Sequence, residues 1–597
     1  MALKAFSMRD VSIGDINEHN AFNKEMRYLK KLDADRLLKG FCEIGNIGSD
    51  ALLYGGWESS DIRGHTLGHY LTAVCQGYAT SGDAALKNIA DHIIDVLAQC
   101  QNDAGYLAAI PESHFDKIEA GDTEGTWVPW YNMHKIFSAL IDAYELTENE
   151  KALEIAKKLG NWVCERASGW SEDVHAAVLS VEYGGMNDCL YRLYMHTRDE
   201  KHLFAAHAFD EMTLFEPIAN GEDILDGKHA NTTIPKFLGA VRAYLATGEE
   251  IYLKAAESFF DIVTRSHTYI TGGNSEWEHF GEAGVLDAER TNCNCETCNT
   301  HNMLKLAREL FMITKKRCYA DYYENTFINA ILSSQNPETG MTTYFQPMAT
   351  GYFKVFSSET EHFWCCTGTG MENFSKLSDS IYFHEDDSLW VLRYTPSRLY
   401  WKETGMTIEQ NTNLPLSENV RFILYTDDGK PRNASIVLRV PDWCKWSPAV
   451  MINGEDVPVS PSKGFIRIER QWNDGDFLEA VLPLGITAHG LPDNENVFAF
   501  KYGPLLLSAD LGNENMETGT TGVNVTIPLS NDGTCDTLTV TGSSAQEWIK
   551  HINDNMVRQR DSLCFIPKGV KEELRFTPHY MQYEHRYGIY FRITEEN

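Results

Sequence analysis

The chain is predicted to fold as an (α/α)6 barrel followed by β-sandwich domains. Two patterns in its 597 residues support this fold class. Segments with apolar residues at helical spacing recur through the first two-thirds of the chain, and most are followed by a more charged helical segment. From about Asp387 the pattern changes to the alternation that is typical of strands. We expect the barrel over residues 1–385, a β-sandwich over 386–495 and a second β-rich sandwich over 496–597.

The inner helices of the barrel are predicted from six related segments, which share a small-residue start, an apolar stripe and an aromatic residue near a polar turn. The segments are 65–78, 133–144, 186–194, 234–244, 301–311 and, more weakly, 368–382. Turns such as the one at Ser81 lead into outer helices such as 151–163, and residues 25–41 are expected to supply an outer helix at the start. Six such pairs would close into a barrel. An open helical solenoid is the alternative, because repeats alone do not establish closure.

The β-sandwich is predicted from segments in which apolar and polar residues alternate, at 389–394, 420–425, 435–440 and 465–470. Three dipeptides between these segments are typical of hairpin turns: Asp428-Gly429, Asn453-Gly454 and Asp474-Gly475. No linker of low complexity separates the predicted domains. We therefore expect them to pack firmly against one another.

The composition excludes several classes of partner. A net charge of −33 argues against nucleic acid, because phosphate binding requires a basic surface. No window approaches the ~20 apolar residues that span a bilayer, and the first residues lack the apolar run of a secretory signal. We therefore expect a cytoplasmic protein with no membrane partner. The oligomeric state stays open, with a homodimer as one option.

The cysteines are the best sequence evidence for chemistry. Nine of the fourteen are scattered singly, and several lie in apolar helical stretches, where a thiol behaves as a small hydrophobic group. The other five form two clusters, Cys293-Cys295-Cys298 and Cys365-Cys366. In a reducing cytoplasm such clusters are typical of metal binding or catalysis. Thiolates and the interposed carboxylate of Glu296 are zinc ligands by type, while a structural all-thiolate zinc site or an iron–sulfur cluster is the alternative.

Further polar and aromatic residues precede the predicted inner helices. They are Trp57, Glu58 and Arg63 before the first, 130–134 before the second, 184–187 before the third, 228–231 before the fourth, Glu296 and Cys298 before the fifth, and Cys365 and Cys366 before the sixth. Parallel inner helices would bring all these starts to one end of the barrel. We expect one pocket there, in which His134, His229 and Asn187 bind substrate and Trp57 forms an apolar wall.

A general acid is expected from the loop at 271–282, which is rich in glycine and carboxylates. Glu276, Glu278 and Glu282 are the candidates. Glu282 has small residues on both sides, Gly281 and Ala283, which allow a ligand to approach the backbone closely. A partly dry site would raise the pKa of such a carboxyl group, as a general acid requires.

Eight motifs together resemble the zinc-dependent β-L-arabinofuranosidases, which form glycoside hydrolase family 127 and its close relative, family 146. The motifs are Gly56-Trp57-Glu58, Arg63 to Tyr70, Trp130 to Lys135, His229 to Pro235, Gly281-Glu282-Ala283, Cys295 to Cys298, Phe363 to Asn373 and Arg586 to Phe591. The resemblance runs from near residue 10 to the C-terminus.

The resemblance implies an (α/α)6 barrel with appended β-sandwiches and a retaining mechanism in which cysteine replaces the usual second carboxylate. It implies a zinc ion held by Glu296, Cys298, Cys365 and Cys366, with Cys365 also the nucleophile. Glu282 would be the acid and base, and His134 and His229 would contact the sugar.

The function expected from the sequence is that of an exo-acting, zinc-dependent glycosidase with a small carbohydrate substrate. It would release L-arabinofuranose, or a sugar of similar configuration, from β-linked oligosaccharides or glycoconjugates. An epimerase or lyase on the same barrel is one alternative, and a carbohydrate-binding protein with a structural zinc is another. The sequence departs from the family pattern at Cys293 and Cys295, which enlarge the cluster. It also lacks a histidine over 184–187.

Overall fold

The computed structural model describes residues 2–531 and 534–596, with helices as far as Ser375 and mainly strands after it. In chain order the helices are α1 (Ile16–Lys31), α2 (Ala34–Ile44), α3 (His65–Ser81), α4 (Ala84–Cys100), α5 (Ser113–Glu119), α6 (Pro129–Thr147), α7 (Glu150–Ser168), α8 (Glu172–Ser180), α9 (Met186–Thr197), α10 (Glu200–His207), α11 (Met212–Ala219), α12 (Ala230–Thr247), α13 (Glu250–Ser266), α14 (Thr297–Thr314), α15 (Arg317–Thr326), α16 (Cys365–Ser375), α17 (Ala545–Lys550) and α18 (Ile552–Asn555).

The strands lie at both ends of the chain. They are β1 (Lys4–Ala5), β2 (Val11–Ile13), β3 (Tyr382–Glu385), β4 (Ser388–Val391), β5 (Ser397–Trp401), β6 (Met406–Thr412), β7 (Asn419–Thr426), β8 (Arg432–Arg439), β9 (Ala449–Ile452), β10 (Glu455–Asp456), β11 (Phe465–Trp472), β12 (Phe477–Val481), β13 (Ile486–Leu491), β14 (Asn494–Tyr502), β15 (Leu505–Asp510), β16 (Thr518–Thr521), β17 (Val525–Pro528), β18 (Thr537–Val540), β19 (Met556–Arg558), β20 (Phe565–Pro567), β21 (Phe576–Pro578), β22 (Tyr587–Gly588) and β23 (Phe591–Glu595).

Six inner helices form a closed ring. Helices α3, α6, α9, α12, α14 and α16 each pack on the next, and α16 packs on α3. The predicted (α/α)6 barrel is therefore confirmed, and the open solenoid is wrong. The turn predicted near Ser81 ends α3 at Gly82, whose φ of 73° suits a residue without Cβ, and the Asp83 carboxylate caps α4.

The outer helix predicted over residues 25–41 is two helices instead. Leu32 and Asp33 have extended backbones between α1 and α2, and the Asp33 carboxylate accepts a hydrogen bond from the Asp35 amide. A capping residue therefore interrupts a stretch that helical spacing alone would continue.

The ring closes through a tight contact between α16 and α3. A Cβ on Gly368 would lie 2.2 Å from Cδ2 of His69, so only glycine lets the two helices approach this closely. One turn further along α16, Glu372 accepts a hydrogen bond of 2.5 Å from Nδ1 of His69 and lies 3.5 Å from Nε2 of His301 on α14. Glu372 thus connects the sixth inner helix to both of its neighbours.

The region after the barrel begins with a sandwich of two sheets. The strand orders are β1-β3-β4-β8-β11 and β10-β9-β12-β7-β6-β5-β2, and inner-face residues of both sheets share one apolar core. Of the three predicted hairpins, only Asn453-Gly454 joins paired strands, β9 and β10. The turns at Gly429 and Gly475 connect strands of different sheets. The two strands that each of these turns joins are therefore not paired with each other, and no hairpin forms there.

A nine-stranded sheet follows, with β18-β23-β14-β15-β21-β20-β19 as its main path. The division expected between residues 495 and 496 falls inside β14 (Asn494–Tyr502). Strand β13, which comes before that division, pairs with β14 in this sheet. Strands β1 and β2 likewise join the sandwich rather than the barrel. The domain limits of 385 and 495 remain predictions for how the chain divides as folding units.

A buried cation links the sandwich to the barrel. Arg439 at the end of β8 is fully buried, and its guanidinium lies 2.6 Å from an Asp321 oxygen and 2.5 Å from a Glu324 oxygen, both on α15. Buried charges persist only when they are paired in this way. None of the helices in the described part of the chain has the length and apolar character needed to cross a membrane.

Gly368→Ala is expected to lower the midpoint of thermal unfolding, because the new methyl group overlaps the His69 ring and overpacking costs about 1–3 kcal/mol. Gly48→Ala is the matched control, since a Cβ at Gly48 would meet nothing within 4 Å. Differential scanning calorimetry of the two variants checks the difference. Equal midpoints would show that the α3–α16 contact does not limit stability.

Candidate functional site

Four side chains with metal-binding atoms lie where α14 and α16 begin. Glu296 precedes α14 and Cys298 is its second residue, while Cys365 and Cys366 open α16. Their ligand atoms all lie within 4.8 Å of one another. The Sγ atoms of Cys298 and Cys366 are 3.3 Å apart, and Cys365 Sγ is 3.5 Å from Glu296 Oε1. All four residues are buried, so the fold brings together the residues predicted as ligands.

The carboxyl group and the three thiols of the cluster are acids, and their ionised forms would be stabilised by a bound cation. The partial positive charge of two adjacent helix N-termini stabilises negative charge, but burial away from water raises the pKa of Glu296, Cys365 and Cys366. Burial also acts on Cys298, yet hydrogen bonds from Cys365 and Cys366 outweigh it and lower the pKa of that thiol. These groups can all ionise only beside a positive charge.

The donor set suits a metal ion. Three thiols and one carboxylate are the ligand types of a tetrahedral zinc site. Glu296 Oε2 is buried, and no described residue forms a hydrogen bond with it. Cys293 and Cys295 lie outside the group of four close ligand atoms. Cys293 shares an apolar cluster with the three cysteines of that group, whereas Cys295 lies in a different cluster with Tyr269.

Tyr344 connects Cys365 to a carboxylate. Its hydroxyl lies 3.5 Å from Cys365 Sγ and donates a short hydrogen bond to Glu278 Oε1. The other Glu278 oxygen lies 3.2 Å from Nε2 of His229. The structure therefore forms a continuous polar chain in the order Cys365, Tyr344, Glu278 and His229.

Charge is shared within this chain. Burial would raise the pKa of Glu278, but hydrogen bonds from His229 and Tyr344 outweigh it and lower that pKa. Burial would lower the pKa of His229, but the carboxylates of Glu278 and Glu182 raise it to about 9. The Thr232 amide lies 3.3 Å from Nδ1 of His229. Protonation of the His229 ring at Nδ1 would remove the acceptor of this hydrogen bond, because Nδ1 would then carry a hydrogen of its own.

The loop that carries Glu278 is held in an unusual conformation. Ser275, Trp277 and Glu278 have φ values of 77°, 46° and 67°, in the left-handed region that residues with a Cβ seldom adopt. The Ala230 amide donates to the Glu278 carbonyl, and the Trp277 amide donates to the Cys293 carbonyl. Such strain persists where surrounding contacts fix the backbone, and it is common at active sites.

Glu282, the predicted acid, does not join the polar chain. Glu282 is exposed, whereas Phe280, which lies between Glu278 and Glu282 in the sequence, is buried. Glu278 was among the candidate carboxylates, but the small residues around Glu282 favoured Glu282. The acid role of Glu282 stays a prediction, and Glu278 is the carboxylate that lies in the polar chain. Flanking glycine shows where a backbone can bend, and it does not show which side chain faces the pocket.

Asn187 is placed in the packing between inner helices and not in the pocket. It is fully buried, its amide donates to the Lys236 carbonyl at 3.2 Å, and a Cβ on Gly239 would overlap it. The prediction that Asn187 contacts substrate therefore does not fit this position. His134 is buried against Gly184 and Gly185, whose amide donates to Nδ1 at 3.2 Å. Burial lowers the pKa of His134 well below its usual range.

A hairpin from the C-terminal region packs against the site. The indole N–H of Trp57 donates to the Val523 carbonyl at 2.6 Å, and that of Trp364 donates to the Asn524 carbonyl at 3.0 Å. Val525 and Ile527 of β17 are buried in the same apolar cluster as Cys365 and Cys366. The tip of the β16–β17 hairpin therefore packs beside the cluster of potential metal ligands, and Trp57 is held there by its hydrogen bond.

Two residues near the site, Glu182 and Tyr344, were not predicted, and a third, Tyr131, was named only as part of the range 130–134. Glu182 lies 3.5 Å from His229. It comes shortly before the third inner helix, which begins at Met186, so the rule that functional groups lie near helix starts could have found it. Tyr344 lies in a loop without periodicity, and the sequence gives no signal for it. The Tyr131 hydroxyl is buried, and no described residue is its hydrogen-bond partner.

Comparison with known proteins identifies relatives along most of the chain. The profile of the β-L-arabinofuranosidase GH127 catalytic domain matches residues 10–379, and that of the GH127 middle domain matches residues 388–484. A non-reducing end β-L-arabinofuranosidase of Bifidobacterium longum subsp. longum is 22% identical over 523 residues, which cover 78% of this chain and 79% of that protein.

Two solved structures share the fold. A GH127 β-L-arabinofuranosidase from Geobacillus stearothermophilus T6 has a TM-score of 0.71 at 18% identity and covers 98% of this chain and 100% of its own. A second GH127 β-arabinofuranosidase has a TM-score of 0.73 at 18% identity, with 100% and 99% covered. The catalytic-domain profile spans more than half of the chain, and the barrel and β-sheet regions agree with these structures. The chain belongs to the GH127 β-L-arabinofuranosidase family of glycoside hydrolases.

Proposed function

We propose that this glycosidase is an exo-acting, retaining β-L-arabinofuranosidase in which Cys365 is the nucleophile and Glu278 is the acid and base. The observation that carries the proposal is the contact of both residues with one hydroxyl group, that of Tyr344, beside a buried cluster of metal ligands. The name of the Bifidobacterium relative supports the sugar and cleavage at the non-reducing end. The epimerase, lyase and sugar-binding alternatives have no observation in their favour.

The metal proposed is zinc, held by Glu296, Cys298, Cys365 and Cys366. The chemistry that zinc supplies in such a site is charge, which keeps neighbouring thiols as thiolates at neutral pH. The protein contributes the position of the sulfur atom. Cys365 opens α16 and lies next to Tyr344, whereas Cys366 and Cys298 face each other in the interior.

In the first step, Cys365 Sγ attacks the anomeric carbon while the bond from that carbon to the leaving oxygen breaks. Glu278 gives a proton to that oxygen. In the resting protein the Glu278–His229 pair holds this proton, which passes to Glu278 along their hydrogen bond. The sugar is then joined to Cys365 through a C–S bond.

In the second step, Glu278 takes a proton from water and the water oxygen bonds to the anomeric carbon. The C–S bond breaks, and its electron pair returns to sulfur. Two inversions at one carbon give retention of configuration. A short separation of about 5–5.5 Å between nucleophile and acid is typical of retaining glycosidases, and only the Tyr344 hydroxyl lies between Cys365 and Glu278 in the polar chain.

Cys365→Ala is expected to lower turnover of 4-nitrophenyl β-L-arabinofuranoside by roughly 10³-fold or more, because no atom remains to form the covalent bond. Azide should restore cleavage and give an arabinosyl azide of inverted configuration, detected by NMR. Cys366→Ala is the matched control, since it also removes a metal ligand but should gain nothing from azide. If azide restored cleavage only in Cys366→Ala, Cys366 would be the nucleophile and Cys365 only a metal ligand.

Glu278→Gln is expected to slow cleavage of methyl β-L-arabinofuranoside by about 10²–10⁴-fold, since loss of a general acid affects poor leaving groups most. The 4-nitrophenyl substrate, whose leaving group needs no proton, should lose much less in kcat/KM. Glu282→Gln is the control and should behave as wild type on both substrates. If Glu282→Gln slowed cleavage of the methyl glycoside and Glu278→Gln behaved as wild type, Glu282 would be the general acid.

Zinc analysis by mass spectrometry is expected to find one ion per chain, and Cys298→Ala should lose it because one of four ligands is absent. Cys295→Ala is the matched control, since Cys295 is a buried neighbour outside the ligand group. Full zinc content in Cys298→Ala, or loss in Cys295→Ala, would contradict the assignment.

A further inference from the structure

A groove of about 530 Å³ lies away from the residues assigned to catalysis. Three distant parts of the chain form it: one face of α1, the loop at 332–338 and the segment at 580–583. The α1 residues Asn17, Asn20, Lys24 and Arg27 follow one another at intervals of three or four, which places them in one row along the helix.

The groove contains a buried amide that lacks a partner. Gln335 is only 4% exposed, yet its Nε2 atom has no hydrogen bond within residues 2–531 and 534–596. An amide left unpaired in the interior costs about 1–3 kcal/mol, and buried polar groups without partners are rare. Gln335 lines the groove, but its Nε2 atom is shielded from solvent. A polar ligand would therefore gain this donor when the amide turns toward the groove.

Other side chains of the groove also have unused hydrogen-bonding groups. No described residue forms a hydrogen bond with the side-chain amides of Asn17 and Asn20 or with the hydroxyls of Tyr580 and Tyr583. Lys24 differs, because its amine donates to the Glu338 carbonyl at 2.7 Å. The groups that remain free are mostly neutral amides and phenols.

This combination matches the chemistry of a neutral sugar. Amides and phenols both donate and accept hydrogen bonds, as sugar hydroxyls require, and tyrosine rings offer apolar faces for the C–H groups of a sugar ring. An anion site would instead use several converging cations, whereas Arg27 is the only cation of the groove whose charged group is free of hydrogen bonds among the described residues.

We propose that this groove is a second carbohydrate-binding site that holds a short neutral oligosaccharide. Ligand-sized pockets have volumes of about 300–1,000 Å³ and a few placed polar groups, and the groove fits both conditions. The proposal does not rest on the reaction assigned to Cys365. It does imply that the enzyme can hold carbohydrate at a place where no bond is cleaved.

The test measures binding of three neutral trisaccharides, α-1,5-L-arabinotriose, xylotriose and cellotriose, to full-length Cys365→Ala protein by isothermal titration calorimetry. We expect at least one to bind, and Asn20→Ala/Tyr583→Ala in the same background to weaken that binding at least 10-fold. Tyr400→Ala/Asn411→Ala is the matched control, because it removes an exposed tyrosine and an exposed asparagine from the sandwich. The control should bind as strongly as its parent.

Gln335→Leu tests the buried amide by itself, since it keeps side-chain size and removes the donor. It should weaken binding at least fivefold while circular dichroism stays unchanged. Absence of binding for all three sugars, or equal binding by the groove variant and its control, would overturn the proposal. A separate measurement distinguishes failure of the groove proposal from failure of the reaction proposal. With Cys365 intact, Asn20→Ala/Tyr583→Ala should hydrolyse 4-nitrophenyl β-L-arabinofuranoside at the wild-type rate.

Discussion

Closure of the inner-helix ring is the constraint on which the site depends. Glu296 and Cys298 come from the fifth inner helix and Cys365 and Cys366 from the sixth, and these become neighbours only because α16 occupies the last place between α14 and α3. The place is narrow. Glycine at position 368 lets α16 approach His69, and Glu372 secures it to helices on both sides. Packing that serves stability therefore also sets the spacing of four acidic groups.

Burial gives those groups their chemical character. In water a thiol and a carboxyl group ionise independently, but in this interior each ionisation raises the cost of the next one. The same burial isolates Tyr344 between a sulfur atom and a carboxylate, so its hydroxyl has few other partners. The left-handed backbone of the loop around Glu278 is a further cost of the site, and it is maintained by backbone hydrogen bonds to Ala230 and Cys293.

Much of this architecture could be predicted from sequence because it follows from periodic patterns. Helical spacing located all six inner helices, and the rule that their starts share one end brought the cysteines, Glu296 and His229 to one pocket. The same rule placed Asn187 in the pocket, whereas the structure packs it between inner helices, because successive helical residues point about 100° apart and only some face the axis. Glu278 and Tyr344 could not be found this way. They lie in loops, where the direction of a side chain depends on tertiary contacts rather than on any repeat.

The β16–β17 hairpin brings residues from the last part of the chain into contact with the site that the barrel forms. Its two tip carbonyls accept hydrogen bonds from the indoles of Trp57 and Trp364, so the barrel without this hairpin would lose the partners of two donors. Bond cleavage is assigned to residues of the barrel, while residues that pack beside the site belong to another sheet. Exchange of the hairpin between relatives could therefore change which leaving groups are admitted and leave the reacting atoms in place.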